Sequence, residues 1–305
     1  MLRTSIFVTS LVAVLGVAGP AASETLAERA AAFQARVDEA ARAMAESPRM
    51  GDLPLEARRG LVQFVAGNML YVLLHEMGHV HVTEMGLPVL GRDEDAADSF
   101  AVVTMLKVGT AMSDDVLVDA ATGWFLSALR DEKEHIKLEF YDAHGLDRQR
   151  AYNIVCLMVG SDPVRFKTLA DKVAMPPERQ GTCQGDYSNA SWSWTTLMKP
   201  HLRAPAQPKT PITVTYGKGE GHLAALEKSF RAIQLLETVA DQSSDEYVWR
   251  RPFTLEMKTC GSAGGDWDAA TQRVTLCYEF AADLAMLYRQ YGQQVQLPLY
   301  RASAP

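Results

Sequence analysis

The sequence predicts a mainly α (α+β) protein, with a large helical core around one buried helix and a small C-terminal α+β unit. Three observations predict it. Most of the chain before residue 200 carries apolar residues at a spacing of three and four. One such stretch, Leu61 to Val82, is apolar on several faces, as a helix buried through the middle of a domain must be. The alternating, β-rich runs are confined to the chain after Pro211. With 305 residues, 48% of them hydrophobic, there is enough chain for one large or two modest cores. A net charge of -7 with no Lys/Arg cluster excludes the basic face that nucleic acid or an anionic membrane surface would need.

The first 23 residues read as an export signal, to be cleaved. Arg3 gives the positive start, Ile6 to Ala18 the apolar stretch, and Ala21-Ala22-Ser23 the small-residue cleavage site. The apolar run is short of the roughly 20 residues that span a bilayer, so no membrane insertion is expected after cleavage. The mature protein is therefore expected to be periplasmic or secreted. Its four cysteines, at 156, 183, 260 and 277, form no C-x-x-C and suit two disulfides in an oxidising compartment. The sequential pairs Cys156–Cys183 and Cys260–Cys277 are favoured. For the second, strands at 253–257 and 273–277 around a Gly-rich turn at 261–268 would bring the two ends together.

Residues 24–199 form the predicted core. An amphipathic helix at 24–46 ends at Pro48, Gly51 and Pro54; the buried helix follows at about 56–82; Gly86, Pro88 and Gly91 turn the chain back; and a shorter helix occupies 94–103. Further helices are expected at 114–137, at 148–159 after a cap at Asp147, and up to about 173. The polar end of the first of these makes His135 a surface residue. Residues 175–191 read as irregular, with Trp192 and Trp194 either packing residues or the lining of a subsite. A proline-rich linker at 200–211 leads to the C-terminal unit, 212–305, with a strand at 212–216, a helix at 222–239, the two strands above and a closing helix at 278–293.

The chemistry concentrates in His75-Glu76-Met77-Gly78-His79. Residues four apart on a helix share a face, so His75 and His79 can offer two imidazoles to one Zn2+, while Glu76 can reach a water on the ion as general base. Polar groups at the end of so apolar a helix need a partner, and a metal supplies one. Asp93, Glu94 and Asp95 suit the start of the next helix on dipole grounds alone. Asp98 is not explained that way. Glu94 and Asp98, at i and i+4, fit a third metal ligand and an acceptor for the free N–H of a ligating histidine, with Asp93 and Asp95 as alternative third ligands. His144, beside Tyr141 and Asp142, is the candidate donor to a developing oxyanion. Arg150 could pair with Asp142 or bind a substrate carboxylate. His222 and Glu279 become candidates if the C-terminal unit folds over the site.

In these residues the chain resembles the gluzincins, whose H-E-x-x-H helix is followed by a helix carrying E-x-x-x-D; here the match is His75 to His79 and Glu94-Asp95-Ala96-Ala97-Asp98. Phe64 to Phe100, with the later Cys277-Tyr278-Glu279, resembles the DUF4344 family of bacterial metallopeptidases. The resemblance implies a zincin-like core, Zn2+ held by His75, His79 and Glu94, Glu76 as base, and a peptide or protein substrate. Better-known gluzincins place a sheet before the metal helix, and its edge strand holds the peptide. Here the strand signals come after that helix, which argues against edge-strand pairing. Two other readings carry the same residues: a zinc-dependent amidase acting on cell-wall peptides, and a non-catalytic, zinc-stabilised binding protein. Glu76 argues against the second, because a structural zinc needs no general base.

Overall fold

A computed structural model describes residues 26–300; the segment read as an export signal lies outside the described residues. Its elements, in order, are α1 (Leu26–Ala43), α2 (Leu55–Met85), α3 (Asp93–Val108), α4 (Ala111–Lys133), α5 (Asp147–Ser161), α6 (Lys167–Lys172), α7 (Pro177–Met198), β1 (Ile212–Tyr216), α8 (Ala224–Ile233), α9 (Leu235–Glu246), β2 (Phe253–Lys258), β3 (Gly265–Asp268), β4 (Arg273–Cys277) and α10 (Tyr278–Tyr291). The protein is mainly helical with one small mixed sheet.

Helix α2 is the axis of the molecule. From Leu61 to Gly78 only Gln63 and Leu70 are not buried, so a helix with no polar face has to be covered all round. Helices α1, α3, α4 and α10 pack on it, and the sheet covers its C-terminal half through β3 and β4. The chain leaves α2 at Gly86, whose φ of 65° suits the left-handed C-terminal cap, and Gly91 at φ 125° completes the reversal into α3. The two helices then pack closely. A Cβ on Gly78 would lie 2.9 Å from Ala97 Cα, so the glycine inside the histidine motif lets α3 approach. Helix α4 opens on a Thr110/Ser113 capping box and ends at Lys133, short of residue 137, leaving 134–146 as an exposed loop.

Two expectations are corrected. Residues 175–191 are not irregular: Pro177 occupies the first turn of α7, which runs to Met198, with Cys183 bonded to Cys156 of α5. The reading failed because α7 is polar almost throughout and buries only Cys183, Trp194 and Met198. Strands 253–257 and 273–277 do not form a hairpin. They pair in parallel as β2 and β4, and the Gly-rich segment between them contains β3, antiparallel to β4 on its other side. The sheet order is β1-β2-β4-β3, so β3 is an edge strand. The hairpin turn is instead 269–272, where Asp268 Oδ1 accepts from the N–H of Ala270. The second disulfide, Cys260–Cys277, joins the segment after β2 to the end of β4.

Residues after 200 are fixed to α2 by a buried carboxylate. Glu84 is 1% exposed and is held by Arg251 at 2.6 Å and Gln272 at 3.1 Å. His81 is buried against Phe100, Tyr247 and Trp249; burial keeps it neutral, with a pKa of about 3. It is a packing residue of this junction.

Replacing Gly78 with Ala sets a gain in helix propensity of roughly 1 kcal/mol against overlap with the α3 backbone, which does not yield as a side chain would. The expected outcome is net destabilisation of about 1–3 kcal/mol, seen as a lower melting temperature, together with weaker metal binding.

Candidate metal centre

Four side chains from three elements meet where α2 and α3 cross. His75 Nε2 lies 3.0 Å and His79 Nε2 3.3 Å from Glu94 Oε2, and the two imidazole nitrogens are 3.2 Å apart. These three atoms form a nearly equilateral triangle. A tetrahedral ion with bonds of about 2.0–2.1 Å needs ligand separations of about 3.3 Å, so the group fits one face of such a site. Glu94 Oε2 is buried, and none of the imidazoles around it makes a hydrogen bond of good geometry with it. A cation between them explains convergence of this kind better than hydrogen bonding does. Among the described residues, His75, His79 and Glu94 form a half-buried group that could hold a metal ion.

The neighbouring acids do not compete for this position. Asp95 turns outward to a two-pronged contact with Arg92, and Asp93 is exposed. Asp98 sits one turn beyond Glu94 and meets His75 Nδ1 at 2.7 Å. That contact leaves Nε2 of a neutral His75 as the free lone pair facing the metal position. Arg150 completes the chain: its Nε and Nη2 donate to the two oxygens of Asp98 at 2.9 and 2.6 Å, and its guanidinium lies 3.9 Å from the centre of the Trp124 ring. The partner of Arg150 is therefore Asp98 and not Asp142.

His144 enters from the 134–146 loop, with Nε2 2.8 Å from Glu94 Oε2 and Nδ1 3.2 Å from Asp142 Oδ1. Tyr141 is exposed and donates to Glu139, outside this cluster. Glu76 is 6% exposed, and burial pushes its carboxyl above the ordinary value. The strand β3 covers it: a Cβ on Gly265 would come within 3.3 Å of Glu76 Oε1 and 3.1 Å of Val72 Cγ1. Trp267 Nε1 donates to Thr83 Oγ1 at 2.8 Å and fixes the other end of β3 along α2. An edge strand thus lies beside the metal position, contrary to the expectation drawn from chain order, because β3 reaches α2 from the C-terminal side of the sequence.

A family model, DUF4344, described as a putative metallopeptidase, matches residues 35–198, more than half the chain. The chain belongs to the DUF4344 family. The matched segment contains His75, Glu76, His79, Glu94, Asp98, His144 and Arg150, whereas β3 and the rest of the sheet lie beyond it. No curated protein and no solved structure matches the chain. Among the described residues no helix is long and apolar enough to cross a membrane, and both disulfides belong to an oxidising compartment.

Other candidates fall away. His135 and His222 are exposed. Glu279 accepts from the backbone N–H groups of Cys260 and Gly261, and the sulfurs beside it are in a disulfide. Trp194 packs on Phe100 and donates to Ser99, and Trp192 is 71% exposed. Sequence reasoning missed Gly265, which reads as a turn glycine, and Trp124, which reads as ordinary core. The Asp266-Trp267-Asp268 alternation was the available signal for β3, but four residues are too few to carry it.

The carboxylates decide the local charge. His144, His75 and His79 hold Glu94 far below the ordinary carboxylate range. For Asp98 burial opposes ionisation, but Arg150 and His75 outweigh it and keep the pKa low. Burial likewise opposes a charged His75, yet Asp98 and Glu94 raise it from 6.5 to about 9. A group raised on folding stabilises the metal-free protein fully below the unfolded value of 6.5, and that contribution is lost as pH rises through about 9. Metal-free protein is therefore expected to lose on the order of 1–3 kcal/mol between pH 6.5 and 9.5. Denaturant melts at the two pH values check this; the difference should shrink in His75→Gln. Asp98→Asn, which weakens the orientation of His75, should lower metal affinity by about 10–100-fold in a chelator competition assay.

Proposed function

We propose that this chain is an exported, zinc-dependent metallopeptidase hydrolysing peptide bonds, with Glu76 as general base. The observation that carries the reading is the buried Glu76 carboxylate beside the His75, His79 and Glu94 triangle. Two imidazoles and a carboxylate are a donor set of catalytic zinc sites, which keep a position open for water or substrate. Zinc held there would supply Lewis acidity to the scissile carbonyl and lower the pKa of the attacking water. Glu76 takes the proton from that water and delivers it to the leaving nitrogen; its burial favours this exchange by bringing its pKa nearer to neutral. His144, held by Asp142, donates to the oxygen of the carbonyl as it gains charge.

The free edge of β3 supports a peptide substrate, because an extended chain laid along it gains backbone hydrogen bonds while passing over Glu76. In this reading residues 24–199 carry the metal chemistry and residues 212–305 supply the strand that positions the peptide.

Glu76→Gln is the central test. With zinc content unchanged, hydrolysis of a broad peptide library should fall by about 10²–10⁴-fold. Unchanged turnover would remove Glu76 from the role. A wild-type protein that cleaves no peptide, with or without added zinc, would sink the peptidase assignment and leave a metal-binding protein. His144→Gln should lower kcat by about 10²–10³-fold with little change in zinc affinity, as measured by steady-state kinetics and metal analysis.

A further inference from the structure

A cavity of about 300 Å³ lies between α2, α4, α10 and the segment that enters β3. Asn68 and Val72 bound it on α2; together with Glu76 they form an i, i+4, i+8 series along one face of the helix. Its opposite rim is Ala263 and Gly264, immediately before the Gly265 that covers Glu76. The cavity therefore shares two of its boundaries with the surroundings of the general base. We infer that it is the pocket that selects one large, uncharged apolar side chain of the substrate, next to the bond that is cut. This rests on the peptidase reading of the site.

The chemistry of the walls decides the class of side chain. Tyr71, Val72, Trp124, Phe280, Leu284 and Leu287 present apolar and aromatic surface. The charged groups are engaged with one another: Arg130 donates to Asp283 at 2.9 Å and faces Asp131 at 3.5 Å. The amide nitrogen of Asn68 is taken by the carbonyls of Phe64 and Asp119. An acidic or basic side chain entering here would lose water and have to compete with Asp283 or Arg130 for a counter-charge already held in an ion pair, whereas Phe, Tyr, Leu or Met would bury apolar area. Ala263 and Gly264 leave the rim open. In a peptide extended along β3 successive side chains alternate in direction, so one of those flanking the scissile bond faces the cavity.

Two features make the pocket more than a hollow. Its far wall, Phe280, Asp283, Leu284 and Leu287, comes from α10, outside the segment that matches the family. Selection thus resides in a part of the chain separate from the metal ligands. Trp124, in the near wall, also stacks with the Arg150 guanidinium, which holds Asp98, which holds His75. A side chain seated against Trp124 would thus pack on the ring that stacks on Arg150.

The test uses the full-length, zinc-loaded protein and fluorogenic peptides varied on both sides of the cleaved bond. At one of the two positions Phe, Tyr, Leu or Met should give kcat/KM at least tenfold above Ala, Asp or Lys. Leu284→Trp, which fills the cavity, should bring that ratio to about one. Equal rates for all residues at both positions, or an unchanged preference in a Leu284→Trp protein that melts and binds zinc normally, overturn the inference while leaving the peptidase reading intact. A readout independent of turnover uses Glu76→Gln and the indole N–H resonance of Trp124, assigned with Trp124→Phe. N-acetyl-phenylalanine amide should shift that resonance at millimolar concentration and N-acetyl-alanine amide should not. A shift with the Phe compound in a protein that cleaves no peptide keeps the pocket and rejects the peptidase reading. No shift with either compound overturns the pocket.

Discussion

Asp98 stands between His75 and Arg150, and the geometry of the metal position depends on that contact. Helix α2 carries His75, Glu76 and His79, besides Asn68, His81 and Glu84, into a mostly apolar interior, where each polar group needs a partner. Asp98 supplies one to His75 on the side away from the metal position, and Arg150 supplies one to Asp98. The result is a buried relay of one imidazole, one carboxylate and one guanidinium in which Asp98 is bonded on both sides. Removing Asp98 would take this partner from both His75 Nδ1 and the buried Arg150 guanidinium, which is why the relay holds His75 to one orientation.

The relay ends on α5 at Arg150, and α5 is itself tied down. The Cys156–Cys183 disulfide joins it to α7, close enough that a Cβ on Gly160 would overlap the backbone of Cys183. On the opposite side of α2 the Cys260–Cys277 bond and the Glu84–Arg251 pair hold the sheet in place, so that β3 lies over Glu76. A helix buried on all its faces thus has its chemistry arranged from two directions. Helices of the same segment fix His75, His79 and Glu94, and a later strand fixes what can approach Glu76. Close approach is decided by small residues at both crossings: Gly78 against Ala97, and Gly265 against Val72 and Glu76.

Charge and burial divide the labour between the two glutamates. Glu94, surrounded by imidazoles, stays ionised. Glu76 is shielded from water, and that burial pushes its carboxyl above the ordinary value. One fold produces opposite shifts in two carboxyl groups a few ångströms from the same histidines.

The sequence by itself determined the helical class, the axis helix, the His75-to-His79 motif, and one of the acids Asp93, Glu94 and Asp95 with Asp98 behind it. All of these rest on spacing within one helix or across one short turn, where geometry follows from the 3.6-residue repeat. The sequence leaves the choice among Asp93, Glu94 and Asp95 open, because all three lie in the first turn of α3 and Asp95 as well as Glu94 lies within one turn of Asp98; the structure turns Asp95 to Arg92 and sets Glu94 beside the imidazoles. Tertiary structure alone decided the rest. That Arg150 answers Asp98, that a four-residue stretch read as a turn is an edge strand beside Glu76, and that Trp124 and α10 enclose a cavity there depend on packing between segments far apart in the chain. Periodicity records which face of an element is buried, but not which distant element covers it.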